Sequence, residues 1–112
     1  MSDKPLQWAG GSLAELRAFP AEARRRAGYQ LRRLQQGLRP DDWKPMTRVG
    51  PGVAELRVHT GTEHRVFYIA KLDEAVYVLH GFEKSTRQTP HAAIALARKR
   101  LAAVLQARAS RR

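Results

Sequence analysis

Hydrophobic positions change their spacing twice along this chain. Near the start, Leu6 and Trp8 alternate before Gly10 and Gly11, the pattern of a short strand closed by a turn. Ser12 stands three residues ahead of Glu15, a capping-box spacing that predicts a short helix from Leu13, and Phe19-Pro20 breaks it. Pro20 suits the first turn of a second helix, where its missing N–H costs nothing. In that helix Ala23, Ala27, Leu31, Leu34 and Leu38 recur every three or four residues and predict one buried face. Gly37 is placed to end it in a left-handed cap. The two helices read as an antiparallel αα-hairpin.

From Asp41 onward the period falls to two. Val53, Glu55, Arg57 and His59 point one way, and Ala54, Leu56 and Val58 the other. Gly61 in "HTGTEH" marks a hairpin turn, "RVFYIAKL" the next strand, "DE" a turn and "AVYVLHGF" the last strand. The latter two strands are almost continuously apolar, as expected for central strands covered on both faces. Thr89-Pro90 then opens a C-terminal helix with Ile94, Ala97, Leu101 and Val104 or Leu105 at helical spacing. The predicted order is β–α–α–β–β–β–α, with an extra strand around Met46 to Val49. No repeat or linker divides the chain, so residues 1–112 read as one α+β domain: a helical hairpin and a C-terminal helix on an antiparallel sheet.

Charge adds what periodicity does not. Twenty-one Lys and Arg oppose ten Asp and Glu, a formal net charge of +11. A field of that size on a small domain attracts polyanions and speeds encounter with them. Sixteen of these cations are Arg, which holds phosphate through a planar fork, and Pro90 to Arg112 contains six basic residues and no acidic one. The absence of cysteine removes disulfides, thiol nucleophiles and thiolate metal ligands. With no basic-then-apolar leader and no membrane-length apolar run, the expected location is the cytoplasm.

Phosphate-loop, metal-spacing and G-x-S-x-G patterns are absent, so no metal or cofactor is expected. The informative feature is cations at strand positions. Arg57 lies mid-strand, Arg65 opens the next strand and Lys84 closes the last. In a meander these strands are neighbours, and the three charges can meet on one face. A mid-strand Arg left unpaired in an apolar sheet is costly, so pairing with Glu55, Glu63 or Glu83 is the competing structural reading. His91, on the first turn of the last helix, is the acid–base candidate, while His80, deep in an apolar strand, reads as structural. Arg24, Arg25, Arg32, Arg33, Lys44, Arg87 and Arg98 are further candidate cations for holding a polyanion. Tyr68, Tyr77 and Trp43 are aromatics able to stack on a base, though Tyr77 reads as core.

"WAGGSLAELRAFP", "GYQLRRLQQGLRPDDWKPMTRVGPGVAELRV", "HRVFYIA" and "VYVLHGFEKSTRQTP" together resemble phage-derived, HigB-like members of the RelE/ParE toxin superfamily, from about Leu6 to the end of the chain. The resemblance implies the RelE-like fold and a type II toxin that enters the ribosomal A site and cuts mRNA. The chemistry implied is attack by a ribose 2′-OH on the adjacent phosphate with loss of the 5′-oxygen, without a metal. It places the active-face cations on Arg57, Arg65 and Lys84 and the late Tyr or His near His91. Where many relatives carry Lys, this chain has Glu55, which leaves open whether Glu55 is a base or a partner of Arg57. Partners implied are a helix-turn-helix antitoxin, the ribosome and mRNA, with operator DNA bound only through the antitoxin and no membrane. ParE-type members share the fold but poison DNA gyrase, so a gyrase inhibitor without nuclease activity, or a non-catalytic nucleic-acid-binding module, is the alternative.

Overall fold

The computed structural model describes residues 3–111. Its elements are β1 (Leu6–Trp8), α1 (Ser12–Arg17), α2 (Ala21–Gln35), β2 (Trp43–Pro45), β3 (Val53–His59), β4 (Glu63–Ile69), β5 (Val76–Glu83) and α3 (His91–Ser110). The strands form one five-stranded sheet in the order β1-β5-β4-β3-β2. This is the α+β arrangement expected, with one difference: β1 pairs parallel to β5, so the sheet is mixed. The hairpin-linked β3, β4 and β5 are antiparallel, as their short turns require.

Alternation along the strands divides the core into two layers. Ala54, Leu56, Val58, Val66, Tyr68, Val76 and Val78 face α1 and α2, meeting Leu16, Phe19, Ala23, Ala27, Leu31 and Leu34. On the opposite face Val53, Phe67, Ile69, Tyr77 and Leu79 meet α3 through Ala93, Ile94, Ala97, Leu101 and Val104. Val104, not Leu105, is the inward residue; Leu105 is exposed. Burying such aliphatic side chains contributes about 1.5–3 kcal/mol each before entropy is counted, so both layers are needed to hold the sheet.

Local signals set several boundaries as read. At the end of α2 the Gly37 N–H donates to Leu34 O and the Leu38 N–H to Arg33 O, with Gly37 at φ +81°. That is a Schellman cap, and it turns Leu38 out of the helix into solvent, contrary to its expected burial. Gly81 serves a different purpose: a Cβ there would stand 2.5 Å from Leu16 Cδ2, so its absence lets α1 sit directly on β5.

Two other expectations are corrected. The extra strand lies at Trp43–Pro45, where Lys44 pairs with Glu55, and not at Met46 to Val49, which form a turn that buries Met46 and Val49 and exposes Thr47 and Arg48. The capping box does not form. Gly11 is the N-cap of α1, and the buried Ser12 hydroxyl donates to Val78 O at 3.0 Å. Glu15 reaches outward to accept from Arg100 at 2.8 and 2.9 Å, from the Gly81 N–H, and from His80 Nδ1 at 2.8 Å. Burial would raise the Glu15 pKa, but the Arg100, His80 and Gly81 bonds outweigh it and hold the carboxyl below its usual range. One glutamate thus fastens α1, β5 and α3 together. His80 is its structural partner, in line with the reading of that residue.

Candidate active site

The α3-side face of the sheet is ordered in rows across the strands. Val53, Ile69 and Tyr77 form an apolar row, and Glu55, Phe67 and His80 the next. Arg57, Arg65 and Phe82 follow, and the outermost row is His59 with Glu63, beside which Lys84 donates its N–H to Glu63 O at 2.7 Å. A β-bulge at Phe67/Tyr68 inserts Leu79 between paired Val78 and His80. That extra residue resets the alternation so that His80 and Phe82 follow Leu79 on this face, where they stack on each other. The helix α3 lies over the apolar end of the face, and among the described residues no helix packs on the charged end.

Glu55 is the centre of that end. It is fully buried, and its Oε1 accepts from Arg57 Nε at 3.2 Å, with Arg65 Nε at 3.5 Å and Lys44 Nζ at 4.0 Å. Arg65 is also buried and donates from one terminal nitrogen to Glu63 at 3.0 Å. Yet Glu55 Oε2 and Arg65 Nε have no hydrogen-bond partner among the described residues. Orphaned buried polar atoms are uncommon and concentrate where a structure is arranged for something other than stability. Lys84 has no carboxylate within ion-pair distance among the described residues. Burial first, then the charges of Arg65, Lys44 and Arg57, hold its pKa below the ordinary lysine value, with Glu55 partly offsetting them.

Arg57, Arg65 and Lys84 therefore do share one face, and Lys44 joins them. The competing salt-bridge reading is also partly realised, because Arg57 and Arg65 both lean on Glu55. The balance decides what the cluster can do. Four cations surround two carboxylates, and one of these, Glu63, is shared with His59 at 2.7 Å. A dianionic or bridging phosphate can draw the excess charge without opening the core.

The remaining candidates fall on either side. Lys44, Arg48, Lys84 and Arg87 line a groove of about 500 Å³ between β2 and the loop after β5. Through Arg48 it meets a second hollow lined by His91 and Arg98. His91 opens α3 and does not touch the Glu55 cluster; it is exposed, whereas His59 and His80 are bound to carboxylates and His64 is buried against Phe19. Arg25 lines a third hollow at the β3 edge with Arg57. Arg24 donates to Arg17 O, Arg32 pairs with Asp3 at 2.6 Å, and Arg33 donates to Arg39 O, so these three lie outside the grooves just described. Arg112 is outside the described residues.

Among the aromatics, Tyr68 and Tyr77 are buried, and burial pushes the Tyr68 hydroxyl up to about 12, so neither presents a face to a base. Trp43 is half-buried in β2 with Arg39 over its ring. Sequence reasoning passed over Arg48 and Tyr29. Their neighbours come from remote segments, and nothing in their local spacing singles them out.

Over residues 14–102 the chain matches the family described as phage-derived protein Gp49-like (DUF891). The match runs from within α1 through α2 and the whole charged face to the first part of α3. The chain belongs to the Gp49-like family. That family is of RelE-like toxin type, and the α+β architecture is compatible with the RelE-like fold. A Gp49-like toxin-type protein has an antitoxin as its expected partner. No curated protein matches the chain closely enough to serve as a named relative. Among the described residues no helix is long and apolar enough to cross a membrane.

Proposed function

We propose that this Gp49-like protein is a HigB-like toxin of a type II pair, a cytoplasmic, ribosome-dependent endoribonuclease that cleaves mRNA and halts translation. The observation that carries the reading is the cluster of Lys44, Arg57, Arg65 and Lys84 around one buried glutamate on an uncovered sheet face. In-line attack of a ribose 2′-OH on its phosphate builds negative charge on the phosphoryl oxygens. Fixed cations stabilise that charge at no reorganisation cost when the reaction occurs. Arg57 and Arg65 grip the nonbridging oxygens. The 2′-oxygen forms a bond to phosphorus as its proton passes to His91, the bond from phosphorus to the 5′-oxygen breaks, and the departing oxygen takes a proton from Lys84.

Lys84, whose proton is loosened by burial and by Arg65, is suited to protonate the leaving oxygen. His91, exposed and paired with no carboxylate among the described residues, is the second proton carrier, reached by RNA laid along the groove that Arg48 joins. Arg25, Arg87 and Arg98 extend the basic track, and the Arg-rich flanks of α2, with Arg24, Arg32 and Arg33, lie against ribosomal RNA through salt-sensitive contacts. The neutralising partner is a helix-turn-helix antitoxin, and operator DNA is bound only through it.

Inducible expression with mapping of mRNA 5′ ends tests this, comparing the parent with Arg65→Ala and with the less buried Lys84→Met. New cuts within translated messages that disappear in both variants support it. DNA-damage induction without cuts would instead assign the protein to gyrase inhibition.

A further inference from the structure

Beyond the charged face, α2 and the open edge of β3 enclose a hollow of about 420 Å³, within the size range of small-ligand sites. β2 pairs only with Ala54 to Leu56, so the edge from Arg57 to His59 is left for α2 and the Asp41–Asp42 loop to border. The walls are fixed. Gln30 and Asp41 exchange two hydrogen bonds, at 2.7 and 2.9 Å. Arg26 is held between Glu22 and His59 O. The His59 ring is clamped between Asp42 at 2.6 Å and Glu63 at 2.7 Å.

Inside this hydrogen-bonded frame three kinds of group remain unengaged: an aromatic ring, a carboxylate oxygen and guanidinium nitrogens. Tyr29 is 60% exposed, an unusual position for an aromatic side chain, and it lines the hollow beside Arg25. Asp42 uses one carboxylate oxygen on His59, leaving the other as an acceptor. Arg57 engages Glu55 through Nε, and among the described residues its two terminal nitrogens are open. Arg57 belongs both to the Glu55 cluster and to the lining of this hollow.

We infer that the hollow is a ribonucleoside pocket, holding the base and sugar attached to the phosphate that Arg57 grips. Its base lies against the Tyr29 ring, a contact any base can make. Its ribose hydroxyls donate to the Asp42 carboxylate, as sugar hydroxyls do to an acidic residue in dinucleotide sites. Because the 2′-OH is a donor that deoxyribose lacks, the pocket separates RNA from DNA. The inference rests on the phosphate-binding role of the cluster, and it adds the nucleoside that the cluster alone does not select.

Titration of the full-length chain, followed by NMR, tests it with inorganic phosphate, ribonucleoside 3′- and 5′-monophosphates and their 2′-deoxy forms. The ribonucleotides are expected to bind at least fivefold more tightly than phosphate and several-fold more tightly than the deoxy forms. Tyr29→Ala, at an exposed helical position, should weaken nucleotides by roughly 5- to 100-fold and leave inorganic phosphate unchanged, while Tyr29→Phe retains nucleotide affinity. Equal binding of phosphate and nucleotide, or indifference to Tyr29→Ala, overturns the pocket. Its failure is distinct from failure of the cluster: Arg65-dependent phosphate binding with no nucleotide margin removes only the pocket. Tyr29-dependent nucleotide binding that ignores Arg65→Ala removes the cluster's role and leaves the pocket standing.

Discussion

Replacing Glu55 by Gln should move stability and anion affinity in opposite directions. Two unit charges at 3.2–3.5 Å attract by about 5 kcal/mol at an effective dielectric of 20, and at 4.0 Å by about 4; these are the separations of Arg57, Arg65 and Lys44 from Glu55 Oε1. The gross attraction is offset by the cost of burying the carboxylate and by repulsion among the cations, so the sum is not the stability at stake. Measured losses for removing one partner of a buried pair are 3–5 kcal/mol. Here the partners differ in what they can recover. Lys44 and Arg57 keep 42% and 31% of their side-chain surface and can return to water, whereas Arg65 keeps 7% and cannot. The expected loss is therefore about 2–3 kcal/mol, or a fall in Tm of about 10 °C for a domain of this size.

Anion affinity should rise in the same variant. Removing the central negative charge leaves Arg57, Lys44 and Lys84, with the buried Arg65 beside them, carrying one more unit of uncompensated charge. At partly exposed separations that is worth about 1 kcal/mol to a bound phosphate, or roughly fivefold. Thermal unfolding by circular dichroism reads the first effect, and anisotropy of a labelled RNA oligonucleotide at two salt concentrations reads the second. The affinity gain should shrink as salt rises. An unchanged Tm, or weaker RNA binding in a folded variant, would refute the view of Glu55 as the internal counter-ion of a phosphate site.

Lys84→Met should leave the fold as stable as the parent, because burial already disfavours the lysine charge, while cleavage falls by about 10²-fold or more; melts and mapped cuts read both. In the parent, activity that needs protonated Lys84 is present below its folded pKa and is lost as pH rises through it, at a value below 10.5. His59 has its pKa raised by hydrogen bonds to Glu63 and then Asp42. Its stabilisation is complete below the unfolded value near 6.5 and fades as pH rises through the folded one, a slope that His59→Asn should abolish in Tm measured against pH. Glu15→Ala should cost about 2–4 kcal/mol by stranding half-buried Arg100 and His80. Because the Glu15 pKa is lowered, that contribution is present above about pH 4.5 and disappears as pH falls through the folded value, so parent and variant should converge in acid. Gly81→Ala drives a Cβ to 2.5 Å from Leu16 Cδ2 and 3.2 Å from Phe19 Cζ; an overpacking loss of about 1–3 kcal/mol in chemical denaturation is expected.

What could be read from spacing alone was whatever spacing alone decides. Glu55 and Arg57 are two apart in a strand, so their meeting on one face follows from the pleat, and adjacent hairpins carry Arg65 and Lys84 to the same side. Pro20, Gly37 and Pro90 mark helix ends through backbone constraints that no tertiary contact needs to supply. The misses share the opposite origin. Ser12 and Glu15 have the spacing of a local cap, but Val78 O, Arg100, His80 and the Gly81 N–H offer stronger partners from 65 or more residues away. Leu38 continues the helical period and is still exposed, because the left-handed Gly37 just before it has already turned the chain. β1 reads as a strand, yet its three residues cannot reveal that β5 receives them in parallel. The charged face joins these two classes. Alternation predicts which residues share a side, but only the position of α3 determines which half of that side stays open. Since α3 packs through Ala93, Ile94, Ala97, Leu101 and Val104 against the Val53–Ile69–Tyr77 end, the mid-strand cations are found where no helix is available to neutralise them. Their shared carboxylate is what lets such a cluster persist in a stable fold before any phosphate arrives.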